Sequence, residues 1–551
     1  MSEQTKAGTG VKLSIQDMIA KIRADQEEKK LALVAPATTQ TAGQATGMSG
    51  ELITYNPLQQ EFIDLVASGT SCVLQGAAGT GKTTATQGAV KALLDSGMLP
   101  ILKNSAHKHL RDGSPGIAII SYTRRAVNNI RKVQSEDLKP CCLTAHKLLE
   151  YAPVYYEDTD PATGMSKKTM RFEPSRDQDN PLPEALTMIL VEEASMLSTQ
   201  YYNEITAAIN HKIIWVFIGD LNQLPPIFGP AILGFKLNEL PVIELTEVYR
   251  QALESPIIRL AHRILSGVPI PAEEYTSWHE PDKLTIHPWK KKLTEDLACS
   301  TAAAFFKKAY DNKLYDPEED MILIPFNKGC GTLEINKHIA NHISNAYDEV
   351  TYEVVAGFNK HYFSVGDYVL YDREDAKISE IKVNHSYSGA RFQKASTNLD
   401  YWGFNSNAAA ERAASGEEEI DDVDFLLEAV MIGESEDRVT QASHTITVRL
   451  QDTGQEVELT KAAEINNLLH SYALTVHKAQ GSEWRKVFIL LHSSHATMLQ
   501  RELLYTAVTR AKEELYVICE PESFTNGIKS QKIKGTTLAE KAEYFKGKQR
   551  K

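Results

Sequence analysis

Cysteine is scarce in this sequence, with six residues in 551, and no two of them form a Cys-x-x-Cys pair. Cys141 and Cys142 are adjacent, a spacing that does not suit two ligands of one zinc ion. The scarcity excludes a disulfide scaffold and a zinc knuckle. We therefore expect reduced, mostly buried thiols in a cytoplasmic protein, which means the host cytoplasm if the chain is viral.

Long apolar runs are also missing. No stretch approaches the ~20 residues that a membrane-spanning helix requires, and the N-terminus has no apolar core of a signal peptide. The composition, 42% hydrophobic and 24% charged, is typical of a globular protein. The missing apolar runs lead us to expect no membrane association. Because 551 residues are too many for one hydrophobic core, we also expect roughly three or four domains.

An excess of positive charge is absent as well, because the chain has a formal net charge of −13. This excludes a protein that coats nucleic acid by charge alone. The acidity is concentrated in residues 411–438, where eleven acidic side chains outnumber two arginines. The rest of the chain is therefore nearly balanced and has room for a local basic channel. The acidic segment has few aromatic residues and is predicted to be a disordered loop.

The most informative stretch is 76–83, which matches the phosphate-binding pattern G-x-x-x-x-G-K-[ST] in full. An apolar strand is predicted before it and a helix after it, so loop amides and the helix dipole would meet the phosphates. Lys82 is predicted to reach the β- and γ-phosphates, and the Thr83 hydroxyl to bind Mg²⁺. A chance glycine-rich turn is the alternative. The residues predicted to contact the nucleotide are Gly76, Ala77, Ala78, Gly79, Thr80, Gly81, Lys82, Thr83 and Thr84.

Two neighbouring carboxylates, Glu192 and Glu193, follow an apolar run at 188–191. After a phosphate-binding loop, such a pair suits a metal ligand and a base that activates the attacking water. We predict that Glu192 binds Mg²⁺ and that Glu193 is the base; a solvated strand end is the alternative. Gln223, in GDLNQLPP after the next apolar run, is predicted to sense the γ-phosphate and orient the water, unless this stretch is an ordinary turn.

Helical and apolar stretches alternate from residue 52 onward, which is typical of βαβ units. The predicted fold class is α/β, with a doubly wound parallel sheet whose ligands lie beyond the strand C-termini. Later apolar runs, beginning at 321–325, predict a second α/β domain. Short strand patterns within 341–465 predict a β-barrel inserted into it.

Two appendages flank this body. Residues 1–50 contain a short amphipathic helix pattern and a low-complexity linker at 35–50. The helix is either a docking peptide for a protein partner or a weakly ordered helix on the body. Residues 526–551 are lysine-rich and predict a solvated helix and basic tail, with contact to nucleic acid as the minor alternative.

The motifs VEEASML, GDLNQLPP, LTEVYRQ, YALTVHKAQGSEW and LLYTAVTRAK follow GAAGTGKTT in that order. Together they resemble the motifs of superfamily 1 DNA helicases, in the RecD/Dda-like branch. The resemblance implies an enzyme that uses ATP and Mg²⁺ to move 5′-to-3′ on single-stranded DNA and unwind duplex or forked DNA. We expect it to be a monomer. It also implies two RecA-like motor domains, a wedge hairpin and an SH3-like barrel. The corresponding ranges are 51–265 for the first domain, 266–340 with 466–525 for the second, about 151–180 for the hairpin and 341–465 for the barrel.

The resemblance assigns further residues to the nucleotide site. Gln59 matches the glutamine that reads adenine, with Gln60 as a competing choice. Tyr249 would stack on the base and Arg250 would touch the γ-phosphate. Arg510 would be the arginine finger from the second domain, because a planar, permanent cation stabilises charge on the transferred phosphoryl oxygens. The residues that would close the site from the second domain are Gly481 and Glu483.

The same resemblance assigns contacts to single-stranded DNA. Hydroxyls, imidazoles and an ammonium group near strand ends suit phosphate contacts and base stacking that ignore sequence. The assigned residues are Thr123, Thr144, His146, Thr475, His477 and Lys478. The aromatic residues of the hairpin would either stack at the fork or pack onto the body, and they are Tyr155, Tyr156 and Phe172.

The sequence departs from the family pattern at two motif positions, with Glu192 in place of the usual Asp and Tyr122 in place of the usual Pro. Two alternative functions remain open. One is an RNA-directed helicase of the same superfamily. The other is a regulatory ATPase switch that docks on a partner and binds nucleic acid weakly. We expect the protein to act in DNA replication, recombination or repair.

Overall fold

The computed structural model describes residues 44–46, 52–103, 107–111, 113–159, 166–227, 229–248, 254–271, 273–275, 279–280, 283–289, 291–357, 359–371, 374–384, 441–451 and 453–549. Three predictions lie outside these residues: the helix within 1–43, the acidic segment 411–438, and the nucleotide contacts of Tyr249 and Arg250. Part of the predicted linker is described, because Gln44–Thr46 form a strand.

The first sheet domain, residues 52–248, contains a six-stranded sheet in which all neighbouring strands are parallel. Its central strands are fully buried, which explains the apolar runs in the sequence. With strands numbered in chain order, the sheet runs β12 (Val242–Leu245), β3 (Cys72–Gly76), β11 (Ile214–Gly219), β10 (Met188–Val191), β6 (Ile117–Ser121), β7 (Cys142–Thr144).

The helices of this domain cover the sheet and follow its strands. They are α1 (Pro57–Ala67), α2 (Lys82–Asp95), α3 (Arg124–Val133), α4 (Ala145–Leu148), α5 (Thr199–Ala207) and α6 (Ile232–Lys236). Three further strand pairs are antiparallel. They are β1 (Gln44–Thr46) with β2 (Leu52–Thr54), β4 (Ile101–Leu102) with β5 (Ser114–Pro115), and β8 (Ala152–Thr159) with β9 (Ser166–Glu173).

The second sheet domain, residues 254–346 and 471–529, contains a five-stranded parallel sheet. Its strands run β13 (Leu284–Pro288), β24 (Ala511–Cys519), β23 (Trp484–Leu491), β14 (Met321–Ile324), β22 (Ala473–Thr475). Its helices are α7 (Pro256–Leu265), α8 (Glu295–Asp311), α9 (Thr332–Ala346), α11 (Arg501–Val508) and α12 (Pro521–Lys529). Ile257, Leu260 and Ile264 of α7 pack into the core of this domain, so α7 belongs here although the first domain was predicted to extend to residue 265.

The antiparallel insert comprises the described residues between 351 and 470 and interrupts the second sheet domain. One pair of strands, β15 (Thr351–Ala356) and β16 (Asn359–Ser364), accompanies a five-stranded antiparallel sheet. That sheet runs β20 (Glu456–Lys461), β19 (Gln441–Leu450), β18 (Glu374–Val383), β17 (Tyr368–Tyr371), β21 (Leu469–His470), with helix α10 (Ala462–Asn466) after β20. Val354, Phe363, Ile378 and Ile446 belong to a core of its own, so the insert is a separate packing unit.

The β8–β9 hairpin is fastened at its base. Glu150, in a left-handed conformation with φ of 52°, precedes the hairpin, and its carboxylate pairs with Arg176, which follows it, at 3.0 Å. The same carboxylate accepts the backbone N–H of Lys108 at 3.0 Å. Away from this base, the side chains of Tyr156 and Phe172 are exposed, so neither is buried against the body. The hairpin therefore projects from a rigid base.

The C-terminal strap, residues 530–549, returns from the second sheet domain to the first. Its helix α13 (Leu538–Gln549) places Phe545 against Gly234 and Phe235 of α6. Phe545 is 2% exposed and belongs to the core of the first sheet domain. The solvated helix and tail predicted for 526–551 is therefore wrong for the described residues, because an apolar face of α13 is buried.

The predicted α/β class with parallel sheets is confirmed. Within the described part of the chain, no helix combines the length and the apolar character needed to cross a membrane. All six cysteines are buried free thiols, as predicted.

Candidate nucleotide and nucleic-acid site

The phosphate-binding loop joins buried β3 to α2. Gly79 and Gly81 both have φ of 80°, a left-handed conformation that glycine adopts without strain. At Gly76 a Cβ would lie 2.5 Å from the Thr80 hydroxyl oxygen, so the tight loop needs glycine there too. The ammonium of Lys82 folds over the loop and donates to the carbonyls of Gly76 at 2.7 Å and Ala77 at 3.2 Å. The loop thus has the shape and the cation of a phosphate cradle.

Gln59 lies beside this loop. Its side-chain amide donates to the Gly81 carbonyl at 3.2 Å, and its side-chain oxygen accepts the backbone N–H of Asn56 at 3.1 Å. Asn56 in turn caps α1, which fixes the glutamine relative to the loop. Gln60, the competing choice, instead pairs with Asp64 on the helix surface at 2.8 Å. The geometry favours Gln59 as the residue at the nucleotide site.

Glu192 and Glu193 follow β10 directly, beside β6 and β11. Burial raises the pKa of Glu192 to about 7, and the negative charge of Glu193 adds to this, while Lys82 and the Thr86 hydroxyl oppose it. Glu193 has φ of 52° and ψ of 43°, a strained conformation for a residue with a side chain. Its Oε2 is buried and has no hydrogen-bond partner among the described residues. Two crowded carboxylates of this kind suit a cation and a water molecule.

A continuous chain of hydrogen bonds links the phosphate-binding loop to the second sheet domain. The backbone N–H of Ala78 donates to the Tyr505 hydroxyl at 2.7 Å, and this hydroxyl donates to Asp220 Oδ2 at 2.7 Å. Tyr505 lies on α11, in the motif LLYTAVTRAK, and Asp220 follows β11. Asp220 also accepts from the side chain of Gln75 at 3.3 Å, so the carboxylate is held from both domains.

Residues 220–224, termed the sensor loop, are held by the second sheet domain at their other end as well. The backbone N–H of Leu224 donates to the Thr506 hydroxyl at 2.9 Å, and the Leu224 carbonyl accepts the side-chain amide of Gln480 at 2.9 Å. Between these anchors Gln223 is buried, and its Oε1 has no hydrogen-bond partner among the described residues. This glutamine therefore has an unsatisfied acceptor within the interdomain cleft.

Arg510, two residues after the end of α11, is 5% exposed. Its guanidinium donates to the carbonyls of Thr506 at 3.1 Å and Ser482 at 3.2 Å. Its identified partners among the described residues are all neutral oxygen atoms, which is costly for a buried cation. Burial raises the pKa of the Tyr505 hydroxyl, and the positive charge of Arg510 opposes this rise. The same hydroxyl contacts the phosphate-binding loop. An anion in the cleft would compensate this charge.

Gly481 and Glu483 lie on the α3 side of the cleft. Gly481 has φ of 76°, and a Cβ there would lie 2.6 Å from that of Ala126. Its carbonyl accepts the side-chain amide of Asn129 at 2.6 Å. Glu483 is exposed and lies 3.9 Å from Lys512. The Gly481 contacts join the two sheet domains, whereas the Glu483 pair lies within the second one, and none of these contacts reaches the phosphate-binding loop.

The three threonines predicted to contact DNA share one structural role. Thr123 caps α3, Thr144 caps α4, and the Thr475 hydroxyl accepts the backbone N–H of Lys478 at 3.3 Å. All three lie at the C-terminal ends of parallel strands, where ligands bind in such sheets. Because each hydroxyl accepts a backbone N–H, its own hydrogen can still be donated to a phosphate oxygen.

His146 belongs to an aromatic cluster at the same edge of the first sheet. Its ring lies 4.9 Å from Tyr151, 5.0 Å from Tyr201 and 6.0 Å from Tyr122, and its Nε2 lies 3.1 Å from the Tyr201 hydroxyl. Tyr122, at the position of the family's usual Pro, thus joins a partly exposed aromatic surface. Such a surface suits stacking on bases without sequence preference.

The other predicted DNA contacts lie near a cavity of about 650 Å³ between α9 and the antiparallel insert. Thr475 and Lys478 line it, and His477, which is half-buried, lies between them in sequence. Arg125 of α3 donates to the Lys478 carbonyl at 3.1 Å, which ties this region to the first sheet domain. Other polar and aromatic residues of the wall include Asn336, Lys337, Lys360, His361 and Tyr362.

Two family models match this chain. Residues 54–279 match the AAA domain, and residues 470–518 match the UvrD-like helicase C-terminal domain. The first match contains the phosphate-binding loop, the carboxylate pair and the sensor loop. The second contains Gly481, Tyr505 and Arg510. The two matches therefore fall on the two sides of the cleft described above.

Curated relatives agree with these matches. The chain is 26% identical over 459 residues to the ATP-dependent RecD2 DNA helicase of Deinococcus radiodurans, which covers 83% of this chain and 48% of that protein. It is 21% identical to the RecBCD enzyme subunit RecD of Buchnera aphidicola, over 85% of this chain and 73% of the relative. The chain thus spans about half the length of the RecD2 helicase. The chain is thus similar to RecD-like helicases of superfamily 1 on both sides of the cleft.

Among solved structures, this RecD-like chain is similar to Bacteroides Pif1 bound to single-stranded DNA. The identity is 13% and the TM-score 0.42, with 84% of this chain and 92% of that chain covered. The Pif1 helicase of Candida albicans has 14% identity and a TM-score of 0.40, and covers 90% of this chain.

The structure of the RecD-like chain brings the phosphate-binding loop, Glu192 and the sensor loop to one cleft. Four residues with contacts in this cleft were not among the predicted site residues. Tyr505 and Thr506 lie inside a quoted motif and Gln480 inside another, so the motifs indicated the region but not the role. Lys541 contacts the sensor loop from the C-terminal strap and had no sequence signal as a site residue.

Proposed function

We propose that this protein is an ATP-driven DNA helicase that moves 5′-to-3′ along single-stranded DNA and unwinds duplex. The observation that carries the proposal is the hydrogen bond from Ala78 in the phosphate-binding loop to Tyr505 in the second sheet domain. Nucleotide bound at the loop would change this contact and so alter the fit of the two domains. A cleft that opens and closes in this way is what a two-domain, RecA-like motor requires.

The chemistry assigned to the cleft follows from its unsatisfied groups. Glu193 would accept the proton of the attacking water, and the unpaired Gln223 Oε1 would orient that water. Arg510 would leave its carbonyl partners and stabilise the charge on the transferred phosphoryl group. By the family resemblance, Tyr249 and Arg250 would contact the base and the γ-phosphate.

A divalent cation fits this site, because burial and then the like charge of Glu193 raise the pKa of Glu192, and the Glu193 Oε2 has no partner among the described residues. Thr83, exposed at the start of α2, and Glu192 would hold Mg²⁺. When bound, the ion supplies positive charge to the nucleotide phosphates. Gln59 beside the loop would read the adenine.

Single-stranded DNA would lie across the strand ends of both sheet domains. The hydroxyls of Thr123, Thr144 and Thr475 would contact phosphates, and the His146 cluster would stack on bases. His477 and Lys478 would contact the strand near the insert. The β8–β9 hairpin would act as the wedge, with exposed Phe172 at the fork. We interpret the insert as the SH3-like barrel that the family resemblance implies.

DNA, rather than RNA, is proposed because the RecD2 relative is a DNA helicase by name. We further propose a cytoplasmic monomer, or one in the host cytoplasm for a viral chain, that acts in replication, recombination or repair. The amphipathic pattern within residues 1–50 is proposed to bind a protein partner.

The proposal is tested by measuring ATP hydrolysis alone and with single-stranded DNA, duplex DNA or single-stranded RNA. We expect the strongest stimulation by single-stranded DNA and no hydrolysis by Lys82→Ala, which loses the only side-chain cation of the loop. Equal or stronger stimulation by single-stranded RNA would show that the proposed DNA substrate is wrong and would favour the RNA-directed helicase. A rate of ATP hydrolysis that no nucleic acid changes would favour the regulatory ATPase switch that docks on a partner.

A further inference from the structure

The sensor loop has a contact that comes from neither sheet. The ammonium of Lys541, on α13 of the C-terminal strap, donates to the Leu221 carbonyl at 3.3 Å and to the side-chain oxygen of Asn222. Asn222 in turn donates to Asp220 through its backbone N–H at 2.9 Å and its side-chain amide at 2.8 Å. Lys541 thus extends the hydrogen-bonded chain that runs through Asp220 and Tyr505 to Ala78.

The strap is fixed at both ends, so Lys541 is held in place. At its start, the backbone N–H groups of Lys532 and Ile533 donate to the carboxylate of Glu502 on α11. At its end, Phe545 packs so closely that a Cβ at Gly234 would lie 2.3 Å from its ring. The strap therefore spans from the second sheet domain to the first, with the lysine between its anchors.

Burying the ammonium group of Lys541 costs free energy unless hydrogen bonds or nearby charges compensate it. Lys541 is 5% exposed, and burial lowers its pKa, an effect that the charge of Asp220 opposes. A buried ammonium donates up to three hydrogen bonds, and here the identified acceptors all belong to the sensor loop. The side chain does not reach the nucleotide cradle in any described contact. Its role is therefore to hold the loop.

We propose that Lys541 is a positioning residue for ATP hydrolysis, which fixes the sensor loop so that Gln223 meets the attacking water. The inference rests on the proposed function, because the role of Gln223 belongs to that proposal. Loss of the ammonium would leave the nucleotide cradle intact and displace the loop. A displaced loop would misorient the attacking water, which lowers the rate of hydrolysis more than the affinity for ATP.

The test is the steady-state ATPase of the full chain with saturating single-stranded DNA, for the wild type and Lys541→Met. Methionine keeps the unbranched apolar stem and removes the charge. We expect kcat to fall between about 10- and 100-fold, while KM for ATP stays within about twofold. Lys541→Arg, which keeps a cation, should restore part of kcat. The matched control is Lys546→Met on the exposed side of the same helix, which should leave both constants unchanged.

Wild-type kcat in Lys541→Met would overturn the inference and leave the proposed function intact. A rise in KM equal to the fall in kcat/KM would assign Lys541 to nucleotide binding and also overturn it. Should Lys541→Met fail to fold, Asn222→Ala decides, because it removes the acceptor of the same contact and should lower kcat alone. An inactive wild type would overturn the proposed function itself, and with it this inference.

Discussion

The Tyr505 hydroxyl donates a hydrogen bond of 2.7 Å to Asp220, although the two residues lie in different sheet domains and 285 positions apart in sequence. The same hydroxyl accepts the N–H of Ala78 in the phosphate-binding loop. One oxygen atom therefore joins the nucleotide cradle, the sensor loop and α11, the helix that ends two residues before Arg510. A movement of the phosphate-binding loop on nucleotide binding would therefore change a contact of the second sheet domain.

Tyr505→Phe tests this junction. Phenylalanine fills the same volume but leaves the Ala78 N–H and one Asp220 oxygen without a partner. We expect the free energy of unfolding to fall by about 1–3 kcal/mol and ATP turnover to fall with it. Denaturant unfolding and steady-state ATPase measure the two effects. Tyr347→Phe, at an exposed tyrosine, is the control. Unchanged turnover in Tyr505→Phe would exclude a coupling role for the hydroxyl.

Glu193→Gln tests the assignment of the base. The substitution keeps the shape of the side chain and the cradle but removes the proton acceptor. We expect ATP binding to be retained and kcat to fall at least ~10²-fold. Nucleotide affinity by fluorescence and single-turnover hydrolysis separate the two steps. Glu184→Gln, at an exposed carboxylate, is the control. Normal turnover in Glu193→Gln would transfer the role to Glu192.

Glu192 predicts a pH dependence in the free enzyme. Its pKa is raised to about 7, so the carboxyl is protonated below that pH and ionised above it. Only the ionised form binds a cation, and kcat/KM reports groups of the free enzyme. We therefore expect kcat/KM for Mg²⁺·ATP to rise as pH passes through about 7. A profile that is flat between about pH 6 and 8 would contradict the assignment.

Glu150→Gln tests the hairpin base. The change removes the negative charge that pairs with buried Arg176 and so weakens the contact at the base of the hairpin. We expect unwinding of forked duplex to slow, while the ATPase stimulated by single-stranded DNA remains near that of the wild type. Fluorescence-based unwinding and the ATPase are measured on the same preparation. Lys91→Ala, which breaks a surface ion pair, is the control. An equal loss of both activities would assign Glu150 to folding and not to fork separation.

The sequence predicted those parts of the site that are contiguous in the chain. The phosphate-binding loop and the carboxylate pair need only a strand, a turn and local side chains, and both patterns are local. Tyr505 lies in a recognised motif, yet its role depends on Ala78 and Asp220, and no local pattern reports such a contact. The contacts of Tyr505 across the cleft could therefore not be predicted from local sequence patterns.

The C-terminal strap is an instructive failure. Its lysine content predicted a solvated helix, because average polarity outweighed the few apolar residues. Leu538, Ala542 and Phe545 are spaced four and three residues apart and so share one helix face with Lys541. That spacing was a usable signal of packing. The identity of the surface it packs on, α6 and the sensor loop, is a tertiary property that the spacing does not contain.

The proposed direction of movement is tested most directly by unwinding of two otherwise identical duplexes, one with a 5′ single-stranded tail and one with a 3′ tail. Strand separation is followed at equal protein concentration with ATP, with Lys82→Ala as the inactive control. A 5′-to-3′ motor is expected to separate the 5′-tailed duplex in the presence of ATP and to separate little of the 3′-tailed one. Separation of the 3′-tailed duplex alone, or of neither by a protein that hydrolyses ATP, would contradict it.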